Sequence, residues 1–304
     1  MDVLARGLKF PEGPVANADG SVYLVELYGG SVLHVSVDGT VEAVARPGGG
    51  PNGLAVGPDG DLFLCNNGGF TWSEGVSLRP SGATPDYTGG RIEKINVKTG
   101  TITRLYDRCK GRALSGPNDI VFDSTGGFYF TDFGKSTETH RTHGAVYYAM
   151  PDGSRIEEVA FPLIGANGIG LSVDESVLYV AETHTARIWA FDILKPGVVD
   201  KIRGLGRPPH GGRFIAGSNR YERFDSLAID SAGNICVATL DTGVITVFNS
   251  NGDFEYTVET GDTMTTNICF GGADLKRAYI TCAAKGELIA LPWQVGGHRL
   301  AYNC

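Results

Sequence analysis

The 304-residue chain is short of positive charge, with 26 Lys and Arg against 34 Asp and Glu, and it carries only six His, three Met and three Trp. No local Lys/Arg cluster offsets the net charge of −8, so the basic face that nucleic-acid phosphates demand is missing. Apolar runs are short as well, none approaching the roughly 20 residues needed to span a membrane. The opening stretch, MDVLARGLKFPEG, lacks the apolar centre of a secretory signal. Six cysteines, Cys65, Cys109, Cys236, Cys269, Cys282 and Cys304, form neither a C-x-x-C pair nor a Cys/His metal pattern. Cys65, Cys236 and Cys282 each end a short apolar run, where a buried free thiol sits comfortably, and the expectation is a reducing, cytoplasmic compartment. A G-x-S-x-G elbow is lacking, which excludes a serine hydrolase of that type. Gly48 to Gly50 run into Pro51 without the Lys and helix of a phosphate loop. No segment sustains a helical period.

What the chain has in excess is glycine, 44 residues without a G-X-Y period, alongside 42% hydrophobic residues, too many for disorder. Many tight turns imply many short strands. Six apolar runs recur, at 21–26, 61–66, 127–132, 177–182, 234–239 and 277–282, each following a turn cluster such as NADG, GPDG or DSAG. Upstream of each turn lies another run with a small polar opening: PEGPV, PNGLAV, PNDIVF, ANGIGL, FDSLAI and TNICF. A third strand follows every unit, and a fourth follows in five of them, weakly so at VVDKIRG. The sixth unit lacks a fourth strand, but the N-terminus offers the spare strand DVLARGL. This pattern predicts an all-β chain: one six-bladed β-propeller domain over 1–304, with four-stranded antiparallel blades and a last blade closed by the N-terminal strand. The alternative, a β-sandwich, does not accommodate so many short strands. In such a meander the inner strands start on the face that carries the long insertions, 67–89, 132–143 and 205–224, and long loops on a rigid scaffold mark the binding face.

Glu12, Asn52, Asn118, Asn167, Asp225 and Asn267 open the six inner strands, and radial repetition aims them at one central channel. Carboxylates and amide carbonyls form a hard-oxygen set, suited to Ca²⁺, Mg²⁺ or Mn²⁺. Glu12 and Asp225 alone in a narrow channel repel each other, and a divalent cation removes that conflict. Against this reading, Asn, Asp and Gly also recur simply because turns favour them; the common phase across six units argues for the channel. Phe70, Trp72 and Tyr87 in the 67–89 loop, with Phe133 in the third unit, form an aromatic rim or pack the long loop against the blades. His184, in AETHTARI, is a candidate general base, a substrate donor or a surface residue, with Glu182 placed to orient it. His210 is a weaker candidate for the rim, and the pair His140 and His143 a weaker one for a metal.

The motifs FPEGPV at 10–15, GPNDIVFD at 116–123, ANGIGLS at 166–172, FDSLAID at 224–230 and TNICFGG at 266–272, in this order and spacing, resemble the regucalcin (senescence marker protein)/gluconolactonase family. Its relatives include diisopropyl fluorophosphatase, paraoxonase and strictosidine synthase. The resemblance implies one divalent metal, Ca²⁺ first with Mg²⁺, Mn²⁺, Zn²⁺ or Fe²⁺ as alternatives, held by Glu12, Asn118, Asn167 and Asp225. It also implies that Asp225 serves as base or nucleophile. Asn52 matches no ligand of that pattern and is expected near water or substrate, with Trp72, Phe133 and His184 as further substrate contacts. A metal with an open position polarises a carbonyl and activates water, so hydrolysis of a lactone or related ester is the expected reaction on a small-molecule substrate. The sugar-lactone hydrolases of that family commonly carry Arg two residues before the third-blade Asn; Gly116 stands there, which favours a substrate less polar than a free sugar lactone. Two alternatives remain at this level: a lyase or isomerase using metal-assisted proton abstraction, and a non-catalytic ligand-binding propeller. A monomer or small homo-oligomer, without nucleic-acid or membrane partners, is expected.

Overall fold

A computed structural model describes residues 1–75 and 77–302. The described residues contain strands and turns and no helix. Four-stranded antiparallel sheets follow one another along the chain. The first blade runs Pro11–Ala16, Val22–Glu26, Ser31–Val35, Val41–Ala45, and the second Pro51–Val56, Leu62–Asn66, Arg91–Ile95, Ile102–Tyr106. The third is Pro117–Phe122, Phe128–Asp132, Gly144–Ala149, Ile156–Leu163, and the fifth Arg223–Ile229, Ile235–Leu240, Val244–Phe248, Phe254–Glu259. In the sixth, Thr265–Gly271, Arg277–Cys282 and Glu287–Pro292 are completed by Asp2–Ala5 from the N-terminus. The inner strands neighbour one another in sequence order, and the sixth returns to the first, so the ring is a closed six-bladed propeller.

The fourth blade departs from the expected strand plan. Its third strand, Arg187–Lys195, is long, and Val198–Val199 pair only with its far end, at Ile193 and Lys195. The outer strand is instead Arg213–Gly217, which returns to pair with Arg187–Ala190. VVDKIRG is therefore mostly connection, and part of the 205–224 insertion is blade. The 67–89 insertion also has structure of its own, a hairpin of Phe70–Ser73 and Arg79–Ala83.

Sheet-on-sheet packing between blades supplies the core. Between the third and fourth blades, for example, Val121, Tyr129, Val146 and Leu163 meet Leu171, Val180, Trp189 and Phe191, all buried. The inner strands are buried along both faces, as in Pro117–Phe122 and Ala166–Leu171, because each is walled by neighbours as well as by its own blade. Near the axis the strands converge too closely for side chains. A Cβ on Gly13 would collide with the Asn52 carbonyl oxygen, one on Gly53 with that of Asn118, and one on Gly168 with the Leu227 backbone. These glycines let adjacent blades touch backbone to backbone directly behind the polar residues that open the inner strands.

At the end of each of three second strands stands a residue that ties down the chain entering its blade. Asp132 accepts hydrogen bonds from the Ser115, Gly116 and Gly134 amides at 2.7–2.8 Å. Asn66 accepts from the Gly50 and Gly68 amides at 3.0 and 3.1 Å. Glu182 accepts from the Ile164 amide, Thr185 Oγ1 and Trp189 Nε1 at 2.6–2.8 Å. These buried carboxylates and amides fix the position of the inner-strand starts, and with them the site. Cys65, Cys109, Cys236 and Cys282 are buried free thiols; Cys304 lies outside the described residues.

Candidate active site

At the end of the channel where the inner strands begin lies a cavity of about 290 Å³. Glu12, Asn52, Asn118, Asn167 and Asp225 form its floor, and all five are buried. Phe10, Leu27, Phe70, Phe133, Leu240 and Met264 supply apolar wall, while Arg79, Arg141 and Arg223 supply positive charge. The 67–89 and 132–143 insertions both reach the lining, as the loop argument expected of this face.

The floor is a connected polar set. Asn167 Nδ2 donates to Asp225 Oδ1 at 2.6 Å and to Thr183 Oγ1 at 3.0 Å. Glu12 Oε2 accepts from the Gly13 amide at 3.1 Å and from Asn267 Nδ2 at 3.3 Å. Burial pushes the Asp225 carboxyl up to about 7, with Asp119 adding to the effect and Asn167 and Arg223 opposing it. Burial, then the Asp225 charge, pushes Glu12 well above the usual carboxylate range. Two acids that raise each other's proton affinity leave a concentrated negative charge when both ionise. Asn118 Oδ1 is buried in the same floor without a hydrogen-bond partner. Among the described residues no three His, Cys, Asp or Glu converge, so the donors are two carboxylates and carbonyl oxygens. An orphaned carbonyl oxygen beside two buried carboxylates fits a hard divalent cation and does not fit a thiophilic one.

The sixth blade differs from the expected phase. Pro117 pairs with Asp132 one residue before Asn118, and Thr265 pairs likewise with Cys282. Thr266, not Asn267, therefore occupies the opening position, and its hydroxyl donates to the Pro11 carbonyl at 3.1 Å. Asn267 falls one residue deeper, at the phase of Asp119, and acts on the floor by holding Glu12. Asp119 was not singled out by sequence. It faces the other half of the channel, in a second, narrower cavity lined by Ile120, Ile169, Asn267 and the C-terminal residues His298 to Leu300. Burial raises its carboxyl to about 7 against the Ile120 and Ile169 amides. The His298 amide donates to the Ile229 carbonyl, and Tyr302 packs on Phe122, so the C-terminal segment covers that opposite mouth.

Phe133 and His184 line the site cavity together, ring edge to ring at 5.1 Å. Desolvation, helped by Arg141 and Arg223, pushes the His184 imidazole down to about 4, leaving it neutral at neutral pH. Glu182 does not orient it, because both its carboxylate oxygens are engaged by Ile164, Thr185 and Trp189. Trp72, expected to touch substrate, is absent from the lining. The hairpin turns it outward onto Phe10 at 5.1 Å and Tyr28 at 5.2 Å, so it supports the wall from behind. Tyr87 is also behind, its hydroxyl bonded to the Ser115 carbonyl. His210 is buried against Trp189 at 4.5 Å, away from the rim. His140 and His143 lie outside the lining, His143 against Phe161. Besides Asp119, the charged residues that sequence reasoning missed are the arginines of the site cavity. Arg223 stands two residues before Asp225 and pairs with both oxygens of Asp241 at 2.9 Å, a spacing that was readable in the fifth blade.

A closed propeller with a hard-oxygen floor under an insertion-built mouth places the chain in the class of six-bladed propellers with an axial polar site. Residues 10–284 match the SMP-30/Gluconolactonase/LRE-like region, and the chain belongs to that family. It is 33% identical over 255 residues to the lactonase drp35 of Staphylococcus saprophyticus, covering 83% of this chain and 70% of that one. A solved gluconolactonase from Xanthomonas campestris superimposes with a TM-score of 0.74 and 26% identity, over 95% of this chain and 88% of that one. A calcium-binding regucalcin from Agrobacterium tumefaciens shares the fold, with a TM-score of 0.74 and 17% identity over 98% and 97% of the two chains.

Proposed function

We propose that the chain is a divalent-metal-dependent lactone hydrolase, with Glu12, Asn118, Asn167 and Asp225 holding one cation, Ca²⁺ first. The observation that carries this is the unpartnered Asn118 carbonyl oxygen set in a floor with two mutually opposed carboxylates. The lactonase drp35 and gluconolactonase relatives support the reaction class, and the calcium-binding regucalcin supports the cation.

A bound divalent cation supplies Lewis acidity toward the substrate carbonyl and toward water. The remaining chemistry belongs to the chain. Asp225, with one oxygen held by Asn167, presents a carboxylate to take a proton from water or to attack the carbonyl carbon directly. A carboxyl in a buried, acid-rich floor has a high proton affinity, and opposing charge in the floor restores the ionised form. Asn52 contributes an amide at the open side of the floor, where a ring oxygen or hydroxyl arrives. His184, neutral against Phe133, can donate or accept a hydrogen bond at the wall.

The apolar wall favours a ring less polar than a sugar. A lactone panel tests this: chelator-dialysed protein is assayed with Ca²⁺, Mg²⁺, Mn²⁺ or Zn²⁺ restored singly. Aryl-fused and alkyl lactones are expected to turn over with a kcat/KM at least about tenfold above that of an aldonolactone, since each buried methylene contributes about 0.8 kcal/mol. A preference for the aldonolactone would reverse the reading of the wall, and no turnover on any lactone would remove the hydrolase reading.

A further inference from the structure

Three arginines line the cavity, and only one of them is neutralised. Arg223 is held by Asp241 through two hydrogen bonds. Arg79 and Arg141 have no carboxylate partner among the described residues. Arg141 spends its Nε on Ser136 Oγ at 3.0 Å, which aims the guanidinium and leaves its terminal N–H groups unspent. It lies near enough to the His184 ring to depress that group's proton affinity, which places its charge over the catalytic side of the mouth.

The loops that carry these two arginines are built as one rim. The Ala83 amide, at the end of the strand that starts with Arg79, donates to the Ser136 carbonyl at 3.0 Å. The Thr142 amide and hydroxyl close the 135–142 turn on Lys135. Lys135 then reaches beneath the hairpin, donating to the Asn67 carbonyl at 2.7 Å with its ammonium 3.7 Å from the Phe70 ring centre. Arg141 is thus aimed by Ser136, and Arg79 is carried on the adjoining strand, at a mouth whose wall also includes Phe10, Phe133 and Met264, in a chain with a net charge of −8. Guanidinium groups with free donors in a fixed geometry match carboxylate or phosphate oxygens, and a neutral ring gives them nothing to bind.

We propose that the natural substrate carries an anionic oxygen group, carboxylate or phosphate, on a substituent that projects from the ring to Arg141 and Arg79. This rests on the lactone-hydrolase reading for the reaction but not for the binding of the anion. The lactone carbonyl faces Glu12, Asn118 and Asp225, the apolar body lies against Phe10, Phe133 and Met264, and the anion ends at the rim.

The test compares γ-lactones bearing the same short alkyl arm ended in carboxylate, phosphate monoester or methyl ester. The wild-type enzyme is expected to favour an anionic arm over the ester by about 10- to 100-fold in kcat/KM, chiefly through KM, the range that charged hydrogen bonds provide. The stronger of the two anionic arms identifies the group. In Arg141→Gln that preference should shrink to within about threefold, and Arg141→Lys should restore part of it. Arg155→Gln, which removes the same charge from a turn on the opposite face, should leave the preference intact. Calorimetric titration with the matching tetrahydrofuran ethers, which cannot be hydrolysed, reads the anion site even if no lactone turns over. Equal binding of anionic and ester ethers by the wild type, or an undiminished preference in Arg79→Gln/Arg141→Gln, would overturn the proposal.

Discussion

Asp225→Asn is expected to lower lactone turnover by about 10³-fold or more while the blades stay folded, a loss in the upper range for a base removed from its proton-transfer step. The isosteric amide can still accept the Asn167 Nδ2 hydrogen bond, so the floor keeps its geometry. It can neither take a proton from water nor act as a nucleophile. The amide also removes one of the two carboxylates, so cation affinity falls, and the assay is run across a cation titration to reach saturation. At saturation the loss should sit in kcat. The thermal midpoint of the metal-free variant should be equal to or above that of the wild type, because a buried charge has been removed. Turnover within tenfold of wild type at saturating cation would remove Asp225 from the base or nucleophile role.

The second large effect is on stability and has a defined pH direction. In the absence of a cation, burial holds the folded Asp225 carboxyl at about 7, against 3.8 ordinarily, and holds Glu12 above its ordinary value as well. A carboxyl whose proton affinity rises on folding contributes stability that is complete below its unfolded value and is lost as pH rises through its folded value. Metal-free protein should therefore lose on the order of a few kcal/mol between about pH 4 and pH 8 from this pair, since each tenfold rise in proton affinity on folding corresponds to about 1.4 kcal/mol. Asp119 titrates in the same sense and surface carboxylates such as Asp174 in the opposite one, so the comparison is with Glu12→Gln/Asp225→Asn, which should be more stable than the wild type at pH 8 and show a flatter profile. Adding Ca²⁺ at 100 times its dissociation constant should stabilise the wild type by about 2.7 kcal/mol and leave the double variant unmoved. Thermal melts in chelator at pH 5 and 8, repeated with Ca²⁺, measure all three. A wild type more stable at pH 8 than the double variant in chelator would mean that the floor tolerates both charges without a cation.

The propeller was legible because its unit is a local pattern. A turn cluster, a buried run and a polar opening recur six times, and the spare strand at Asp2–Ala5 matches the strand missing from the sixth unit. The floor was legible for the same reason, since Glu12, Asn52, Asn118, Asn167 and Asp225 share one phase. What escaped depends on contacts that sequence order does not encode. Arg213–Gly217 is an edge strand with a mostly exposed pattern, reached after an excursion, so it has little apolar signal. The bulge at the start of the inner strand is common to the blades, and in the sixth the Asn stands one residue later in the chain, so Thr266 takes the position where Asn267 was expected. The direction of Trp72 was set by the hairpin's pairing, which turns it toward Phe10 and Tyr28. The free charge of Arg79 and Arg141 became visible only once the partners of the other arginines were known.

The most direct measurement of the central claim is a calorimetric Ca²⁺ titration of chelator-treated protein, with lactone turnover followed at each point. One cation should bind per chain, turnover should rise in proportion to occupancy, and both should vanish in Glu12→Gln/Asn118→Leu while the blades still melt as one cooperative unit. Full turnover with no cation bound, or unaltered binding in the double variant, would contradict it.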